Sequence, residues 1–173
     1  MHMFVDESER GGYLMAAVLV TPNALHSTRA LMRSLLLPGS RRVHFKTEKP
    51  TRRRLVADRL ACCDFAAHIY TGRGKSERVR SKLLPLLVED AIGLGVSRLV
   101  LDSRDPVANG RDRLLIGTRT KAHDAGLVYE HIHSSAEPAL WISDAVAWCH
   151  GAGGDWKRRI APVVGSVIDL GQV

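Results

Sequence analysis

The sequence predicts an α/β fold in which a mixed central sheet of about five strands carries helices on both faces. Short apolar runs of strand composition alternate with longer runs of helical composition along the chain. The first two apolar runs are joined by turn residues, whereas the later ones are separated by helices, so antiparallel and parallel neighbours are both expected. No repeat or linker interrupts the 173 residues, and we expect residues 1–173 to form a single domain.

The chain begins with a predicted β-hairpin. Met3–Ser8 and Tyr13–Val20 are the two apolar strands, and Glu9–Gly12 supplies turn residues between them. Thr21-Pro22 has the pattern of a helix N-cap followed by proline in the first helical position. Pro38-Gly39 is the expected end of that helix.

A basic stretch follows the first helix. Arg41–Lys49 is expected to be extended, with His44 and Lys46 on one side. Thr51–Leu60 is predicted to be a shorter helix whose exposed start carries Arg52–Arg54, at the end where the helix dipole disfavours positive charge. A bound phosphate would explain this placement, and a solvated arginine run is the alternative.

The second half of the chain is predicted to alternate strands with helices. The expected strands are Asp64–Thr71, Ser97–Asp102 and Leu127–His133. The expected helices are Glu77–Leu94, with a kink or break at Pro85, a strongly basic helix Asn109–Asp124 capped by Asn109, and a helix opened by Glu137-Pro138 that carries Asp144. Ser166–Leu170 is either a last strand or a packed tail.

Composition and charge narrow the class of protein. The chain is 45% hydrophobic and 25% charged, as in an ordinary globular protein. Lys and Arg outnumber Asp and Glu by 25 to 18, and this excess favours a polyanionic partner, either nucleic acid or an acidic membrane. The three cysteines have neither zinc nor redox spacing, so reduced thiols are expected. No apolar run could span a bilayer and no signal pattern is present, which predicts a cytoplasmic protein.

Three acidic residues lie inside sequence that is expected to form the core. Asp6 ends the first strand, Asp102 follows Leu99–Leu101, and Asp144 sits within Leu140–Trp148. A carboxylate in such a position is costly unless a cation or hydrogen bonds meet it. Mg²⁺ and Mn²⁺ prefer hard oxygen ligands, so we interpret Asp6, Asp102 and Asp144 as converging ligands of a divalent metal.

Asp144 is the most informative of the three, because an acid in the middle of an apolar helix has poor helix propensity and no obvious intrahelical cation. Glu137 lies two turns earlier on the same helical face and is a candidate fourth catalytic carboxylate. The competing interpretations are structural. Asp6 would be a turn residue, Asp102 a strand-end cap, Asp144 a buried partner of arginine, and Glu137 a first-turn residue that suits the dipole.

Basic residues and histidines supply candidate substrate contacts. His44 and Lys46 are interpreted as phosphate contacts, as are Arg111, Arg113 and Lys121 on the basic helix, because Arg and Lys make most contacts to nucleic-acid backbones. A solvated surface is the alternative for each of them. His131 and His133 share one face of a strand but lack a third ligand at zinc spacing, so at most one is expected to line the cleft.

The order of these motifs resembles the ribonuclease H-like superfamily of nucleases and integrases. More narrowly, it resembles the bacterial domain-of-unknown-function family 3800. The resemblance lies in Phe4–Ser8, the hairpin, Lys46, Leu101–Ser103 and the segment Leu140–Val146, which carries Asp144. The resemblance implies a five-stranded mixed sheet, Mg²⁺ or Mn²⁺ at the acids and a phosphodiester substrate. Ribonuclease H proper also has a Glu on the helix before the fourth strand, and Glu77 and Glu89 are candidates for that position here.

Three hypotheses about function follow. The first is a metal-dependent nuclease acting on nucleic acid, with RNA or an RNA/DNA hybrid slightly favoured over DNA. The second is a nucleic-acid-binding module of the same fold without catalytic turnover. The third is a phosphotransfer or nucleotide-hydrolysing enzyme, because actin-like ATPases share the core of this fold. The third is the weakest, since Gly72–Ser76 lacks the first glycine of a phosphate loop.

Overall fold

A six-stranded sheet runs through the centre of the computed structural model, which describes residues 1–173. The strands are His2–Ser8 (β1), Tyr13–Val20 (β2), Ala66–Arg73 (β3), Arg98–Asp102 (β4), Val128–Ile132 (β5) and Val164–Gln172 (β6). The α-helices are Leu25–Ser34 (α1), Pro50–Ala61 (α2), Ser76–Gly93 (α3), Pro106–Arg119 (α4), Leu140–Ala152 (α5) and Gly154–Ile160 (α6).

The strands are arranged in the order β5-β4-β1-β2-β3-β6. β1 is antiparallel to β2 and parallel to β4, and β4 is parallel to β5. β2 is antiparallel to β3, and β3 is parallel to β6. The predicted mixed sheet is therefore confirmed. It has six strands where about five were expected, because the C-terminal segment is a last strand, β6, which was one of the two alternatives for Ser166–Leu170.

The alternation of side chains along the strands divides the core into two parts. Phe4, Val18 and Val100 pack with helices α1, α2, α5 and α6 on one face, called here the α5 face. Met3 and Val5 pack with α3 and α4 on the other, called here the α3 face. β2 is buried along its whole length and β1 is buried at Met3–Val5, because helices cover both sides of the sheet there, which explains the continuous apolar sequence of these stretches.

The β1–β2 hairpin forms as predicted, with Ser8 opposite Leu14 at its closed end. The turn contains two glycines with positive φ, Gly11 at 75° and Gly12 at 122°. The turn lies against the end of α5, where a Cβ on Gly151 would come within 2.2 Å of the Arg10 carbonyl oxygen. Only glycine at position 151 permits this contact, which fixes the hairpin relative to α5.

Some predictions of local structure were wrong. Residues 41–49 were expected to be extended, and they form a loop with one short 3₁₀ turn, Phe45–Thr47. α4 begins at Pro106 because the Asp105 carboxylate caps it, accepting from the backbone N–H groups of Val107 and Ala108 at 3.0 Å.

The other α-helices keep close to their predicted positions. α3 continues through Pro85 without interruption. None of the helices combines the length and the apolar character that a bilayer crossing requires.

Candidate functional site

Asp6 and Asp102 lie side by side at the ends of two neighbouring parallel strands. Val5 on β1 is paired with Leu101 on β4, and each aspartate is the next residue of its strand. Both aspartates follow the same alternation as Phe4 and Val100, so both point to the α5 face. The predicted adjacency of Asp6 and Asp102 is therefore present in the structure.

Helix α5 brings Asp144 to the same place. The Ser143 hydroxyl, which is fully buried, donates a hydrogen bond to the Phe4 carbonyl oxygen at 2.9 Å. This bond fixes α5 across β1, two residues before Asp6. The rest of α5 is apolar and buried against the sheet, which explains why an acid in its middle can be held at one definite position.

Asp6 experiences the negative charges of the other two aspartates. Burial raises the pKa of Asp6 well above its ordinary value, and the negative charges of Asp144 and Asp102 raise it further. Burial also raises the pKa of Asp102, although the Ser134 N–H and the Arg42 side chain oppose the change. The pKa of Asp6 therefore depends on the charges of both other aspartates.

None of the three carboxylates forms a salt bridge with Lys or Arg. Asp6 accepts only from the backbone N–H of Glu7, at 2.7 Å. Asp102 accepts from the Ser134 N–H at 2.9 Å. Asp144 accepts from the Phe45 N–H at 2.8 Å and lies 3.4 Å from the Nδ1 atom of His44. The structural alternative in which each acid is the buried partner of an arginine does not apply here.

A cavity of about 400 Å³ opens beside Asp144. Its cationic residues are Arg10 and Lys46, and His44 also lines it. The sequence predicted His44 and Lys46 as phosphate contacts. Its complete lining is Glu7, Ser8, Glu9, Arg10, His44, Lys46, Asp144 and Trp148. The Arg10 guanidinium stacks 4.6 Å from the ring centre of Trp148, which belongs to α5, so the hairpin turn contributes a fixed cation to the rim of the cavity.

Arg42 and Ser134, which lie near Asp102, were missed in the sequence, whereas His133 was one of two histidines of which one was expected to line the cleft. The positive charges of Arg42 and of His133 when protonated act on the Asp102 carboxyl, and Arg42 donates a hydrogen bond to the Ser134 hydroxyl. Arg42 belongs to the basic stretch that was recognised, but nothing in its sequence context indicates contact with residues 92 positions later. Ser134 follows the last residues of β5, whose position beside β4 depends on the sheet order.

The structure does not bring Glu137 to the aspartates, which corrects its assignment as a fourth catalytic carboxylate. Arg29 on α1 binds both oxygens of Glu137, and the Ala139 N–H donates to the same carboxylate at 3.1 Å. Glu137 is only 3% exposed and precedes α5 instead of lying in its first turn. It is satisfied by these partners and has the role of a structural ion pair.

The two other candidate acids lie on the α3 face. Glu77 pairs with Arg104 and Arg111, and Glu89 accepts from the backbone N–H of Lys121 at 2.7 Å. Both acids belong to α3, which packs on the opposite side of the sheet from α5. Neither is a fourth member of the site.

Helix α4 also lies away from the three aspartates. It packs with α3, and its buried Ile116 belongs to the core of the α3 face. Arg111 and Arg113 on this helix, and Lys121 just after it, are exposed on that side of the molecule. These predicted substrate contacts are therefore separated from the carboxylates by the sheet.

His131 and His133 do not lie on one face of a strand, as was predicted. The His131 side chain is 3% exposed on the α3 face, where Nε2 lies 3.1 Å from an Asp112 oxygen. His133 lies beyond the end of β5, where Nδ1 is 2.8 Å from the Ser135 hydroxyl. The strand ends between them, so the alternation that places them together stops.

The donors at the site are suited to a hard divalent cation. Carboxylate oxygens are the ligands that Mg²⁺ and Mn²⁺ prefer, and Mg²⁺ commonly binds to one or two carboxylates while keeping several waters. As the side chains stand, no group of three His, Cys, Asp or Glu residues surrounds a common point. The residues therefore fit a site in which part of the coordination comes from water and substrate oxygens.

Comparison with solved structures identifies the fold. The chain is similar to ribonuclease HII in the structure of the PCNA:RNase HII complex from Archaeoglobus fulgidus, with a TM-score of 0.53 and 17% sequence identity. The match covers 86% of this chain and 70% of that chain. The chain has a ribonuclease H-like fold. At this identity, the ribonuclease H-like fold is what the likeness shows.

Two other comparisons found nothing. No protein-family model matches the chain, and no curated protein matches it. The predicted ribonuclease H-like fold is thus confirmed as a fold. The narrower resemblance to family 3800 stays a prediction.

Proposed function

We propose that this protein is a divalent-metal-dependent nuclease that hydrolyses phosphodiester bonds of nucleic acid, with RNA or an RNA/DNA hybrid favoured slightly over DNA. One observation carries the proposal: Asp6, Asp102 and Asp144 come from β1, β4 and α5 to one face of the sheet, where the charges of Asp102 and Asp144 act on Asp6 and none of the three forms a salt bridge with Lys or Arg. The ribonuclease H-like fold supports it, because the superfamily includes nucleases.

Each of the three acids has an assigned role in this proposal. Asp6 and Asp102, with the help of Asp144, would hold Mg²⁺ or Mn²⁺. When bound, the ion would supply Lewis-acid polarisation of a phosphoryl oxygen and a more acidic bound water. The Phe45 and Ser134 N–H groups hold the Asp144 and Asp102 carboxylates in position and limit their rotation away from the site.

The cations around the cavity bind the substrate in this proposal. Lys46 and Arg10 stand on its rim, where they can contact phosphate oxygens on either side of the reacting group. His44 lies between this rim and the Asp144 carboxylate. Lys46 and Arg10 neutralise substrate charge that the aspartates would otherwise repel.

The test is cleavage of labelled RNA, DNA and RNA/DNA hybrid of one sequence, with Mg²⁺, with Mn²⁺ and with EDTA. We expect metal-dependent cleavage of at least one substrate and a loss of about 100-fold or more in Asp144→Asn, in line with the large effect of removing charge stabilisation in an active site. Asp124→Asn makes the same substitution at an exposed aspartate and should retain full activity.

Two results would contradict the nuclease proposal. One is the absence of cleavage on all three substrates with either metal. The other is cleavage that persists in EDTA or that survives Asp144→Asn unchanged. Because a contaminating nuclease would be insensitive to either substitution, the comparison of Asp144→Asn with Asp124→Asn also identifies contamination.

A nucleic-acid-binding module without turnover is the second candidate, and one observation favours it. Asp102 and Asp144 are already hydrogen-bonded by backbone N–H groups, and no three acids surround a common point. In that case nucleic acid would bind in EDTA, the affinity would fall steeply with salt, and Asp144→Asn would leave it unchanged. Cleavage that requires Asp144 would exclude this candidate.

We also infer membership of the domain-of-unknown-function family 3800 and a reducing, cytoplasmic location. The order of the motifs from Phe4 to Asp144 supports the first. The free state of Cys62, Cys63 and Cys149 supports the second. An alignment of homologues with Asp6, Asp102 and Asp144 at matching positions, and localisation of a tagged chain, are the respective tests.

A further inference from the structure

The positive charge of the chain is concentrated in one short segment. Residues 41–54, called here the basic segment, contain seven of the 25 Lys and Arg residues but only one of the 18 Asp and Glu residues. The remaining 18 basic and 17 acidic residues nearly cancel. Almost all of the net charge of +7 therefore comes from 14 consecutive positions.

The basic segment lies directly beside the candidate site on the α5 face. Near its start, Arg42 donates to the Ser134 hydroxyl, and the Ser134 N–H in turn binds Asp102. In its middle, the Phe45 N–H donates to Asp144. Near its end, Arg53 donates to the Phe45 carbonyl oxygen at 2.8 Å and stacks on Trp148 of α5. The segment is thus attached to the site along its length.

The charges of the basic segment are mostly unneutralised within the protein. Its one acidic residue, Glu48, approaches the Arg52 guanidinium at 3.7 Å, and no other ion pair involves its Lys and Arg residues. Arg41, Lys46, Lys49 and Arg54 are exposed. Exposed cations in sequence with no acid partner produce a continuous positive potential at the surface.

The start of α2 adds to the same effect. Lys49 is the N-cap residue and provides no side-chain hydrogen bond to the free N–H groups, and the first turn contains no acid. Arg52–Arg54 follow at once, at the positive end of the helix dipole. This arrangement is unfavourable for an isolated helix and becomes favourable when anions are bound there.

We propose that the basic segment is the surface that binds the phosphate backbone of the nucleic acid and leads it to the three aspartates. The inference rests on the proposed nucleic-acid substrate, and it assigns binding to this segment and not to the basic residues of α4. The contacts are to phosphates, so they should be independent of base sequence.

The experiment compares two variants that each lose four positive charges. One is Arg41→Gln/Lys46→Gln/Lys49→Gln/Arg54→Gln in the basic segment. The matched control, on the α3 face, is Arg111→Gln/Arg113→Gln/Arg119→Gln/Lys121→Gln. All eight residues are exposed. Affinity for a fluorescent duplex is measured in EDTA, so that no cleavage occurs, over a series of salt concentrations.

The two variants should differ in the salt dependence of binding. In the basic-segment variant, the slope of log K against log salt concentration should decrease by about 3 to 4, because each lost phosphate contact on a duplex contributes ~0.9. The control variant has the same net charge and should keep nearly the slope of the unmodified protein. Circular dichroism of both variants checks that the fold is retained.

Three results would overturn the proposal. The first is an equal slope for the two variants, and the second is a larger loss of slope in the control variant. The third is binding to phosphatidylserine vesicles that is as strong as binding to the duplex and that depends on Arg41, Lys46, Lys49 and Arg54. Because binding is measured without metal, a protein that shows the slope difference but never cleaves refutes the nuclease and supports the surface. Cleavage with slopes that neither variant changes supports the nuclease and refutes the basic segment as the binding surface.

Discussion

Asp6 and Glu7 are consecutive acids on β1, but their carboxylates have opposite surroundings. Asp6 points to the α5 face, where its neighbours are two further acids and its pKa is raised. Glu7 points to the α3 face, where it accepts hydrogen bonds from the Arg80 guanidinium and, at 3.2 Å, from the Tyr13 hydroxyl. One side of the strand end thus collects negative charge and the other neutralises it.

The neutralised side is a connected buried network. Arg80 is 2% exposed and donates to both oxygens of Asp112, at 2.9 and 2.7 Å. Arg104 also binds Asp112, at 3.0 Å, and His131 approaches the same carboxylate. Hydrogen bonds and positive charge from these partners hold the pKa of Asp112 far below its ordinary value, in spite of burial.

The difference between the two faces indicates which acids have a partner still missing. A buried carboxylate is normally paired or fully hydrogen-bonded, as Asp112 is. Asp6 departs from that rule on the other face of the same strand. Acids that remain unpaired in a fold capable of supplying arginines are more consistent with a cation site than with structural support. The network on the α3 face meanwhile ties together the strand ends that carry Asp6 and Asp102.

The largest expected effect comes from breaking the neutralised side. Arg80→Met would leave Asp112 and Glu7 without their principal cation in a buried position, and we expect a loss of roughly 3–5 kcal/mol in the free energy of unfolding. Urea denaturation followed by circular dichroism measures it. Arg158→Met removes an exposed arginine of the same size and should leave the midpoint unchanged. Equal midpoints for the two variants would mean that the network is not stabilising.

The second prediction concerns the unpaired side. Mg²⁺ or Mn²⁺ should raise the melting temperature, corresponding to ~2.7 kcal/mol when the free ion reaches about 100 times its dissociation constant. Asp6→Asn, Asp102→Asn and Asp144→Asn should each reduce this metal-induced shift, as differential scanning fluorimetry can measure. A shift of the same size in all three variants would contradict a shared cation site.

Glu137 extends the comparison to a third acid and provides the control for the metal experiment. Because Glu137 is paired with Arg29, Glu137→Gln should lower the free energy of unfolding by about 2 kcal/mol, the scale of a hydrogen bond to a charged group. The metal-induced shift should be retained in full. If instead the shift disappears and stability is unchanged, Glu137 is a ligand and its exclusion from the site is incorrect.

These three acids also illustrate how far the sequence can be interpreted. The alternation of side chains along β1 is a local property, so the opposite directions of Asp6 and Glu7 could be predicted. The adjacency of Asp6 and Asp102 was predicted from two acids that each end an apolar strand, on the assumption that β1 lies centrally in the sheet. Arg29 and Glu137 are 108 positions apart, and their contact depends on how α1 packs against the segment before α5. A helical-face argument placed Glu137 beside Asp144 because it assumed a helix that starts three residues too early.

The positions of the basic residues in the fold were equally hard to predict from the sequence. The basic residues of the chain were recognised as two groups, at 41–49 with 52–54 and on the helix that contains Arg111 and Arg113. Both groups have similar composition, and sequence alone does not tell which face of the sheet a helix covers. The network around Asp112 decides this question, because α4 is held to α3 by the bonds between Asp112 and Arg80. Contacts of that kind are formed only in the folded chain.

The smallest expected effect tests the unpaired side without metal. The raised pKa of Asp6 means that, as pH rises from the ordinary carboxyl range through the raised value, the unfolded chain loses its proton before the folded one does. The folded protein should therefore lose stability over that interval. Asp6→Asn cannot ionise and keeps an oxygen for the Glu7 N–H, so at neutral pH in EDTA it should be more stable than the unmodified protein by ~1 kcal/mol, or about 2–4 °C in melting temperature.

Melting temperatures of both proteins between pH 4 and 8 measure this effect, and Asp124→Asn is the exposed control. The two curves should meet at low pH, where Asp6 is protonated in both states, and diverge as the pH rises. A variant that is less stable than the unmodified protein at neutral pH would mean that the Asp6 carboxylate is held by favourable contacts. The distinction between the two faces of β1 would then be lost, and with it the reason to expect a cation at Asp6.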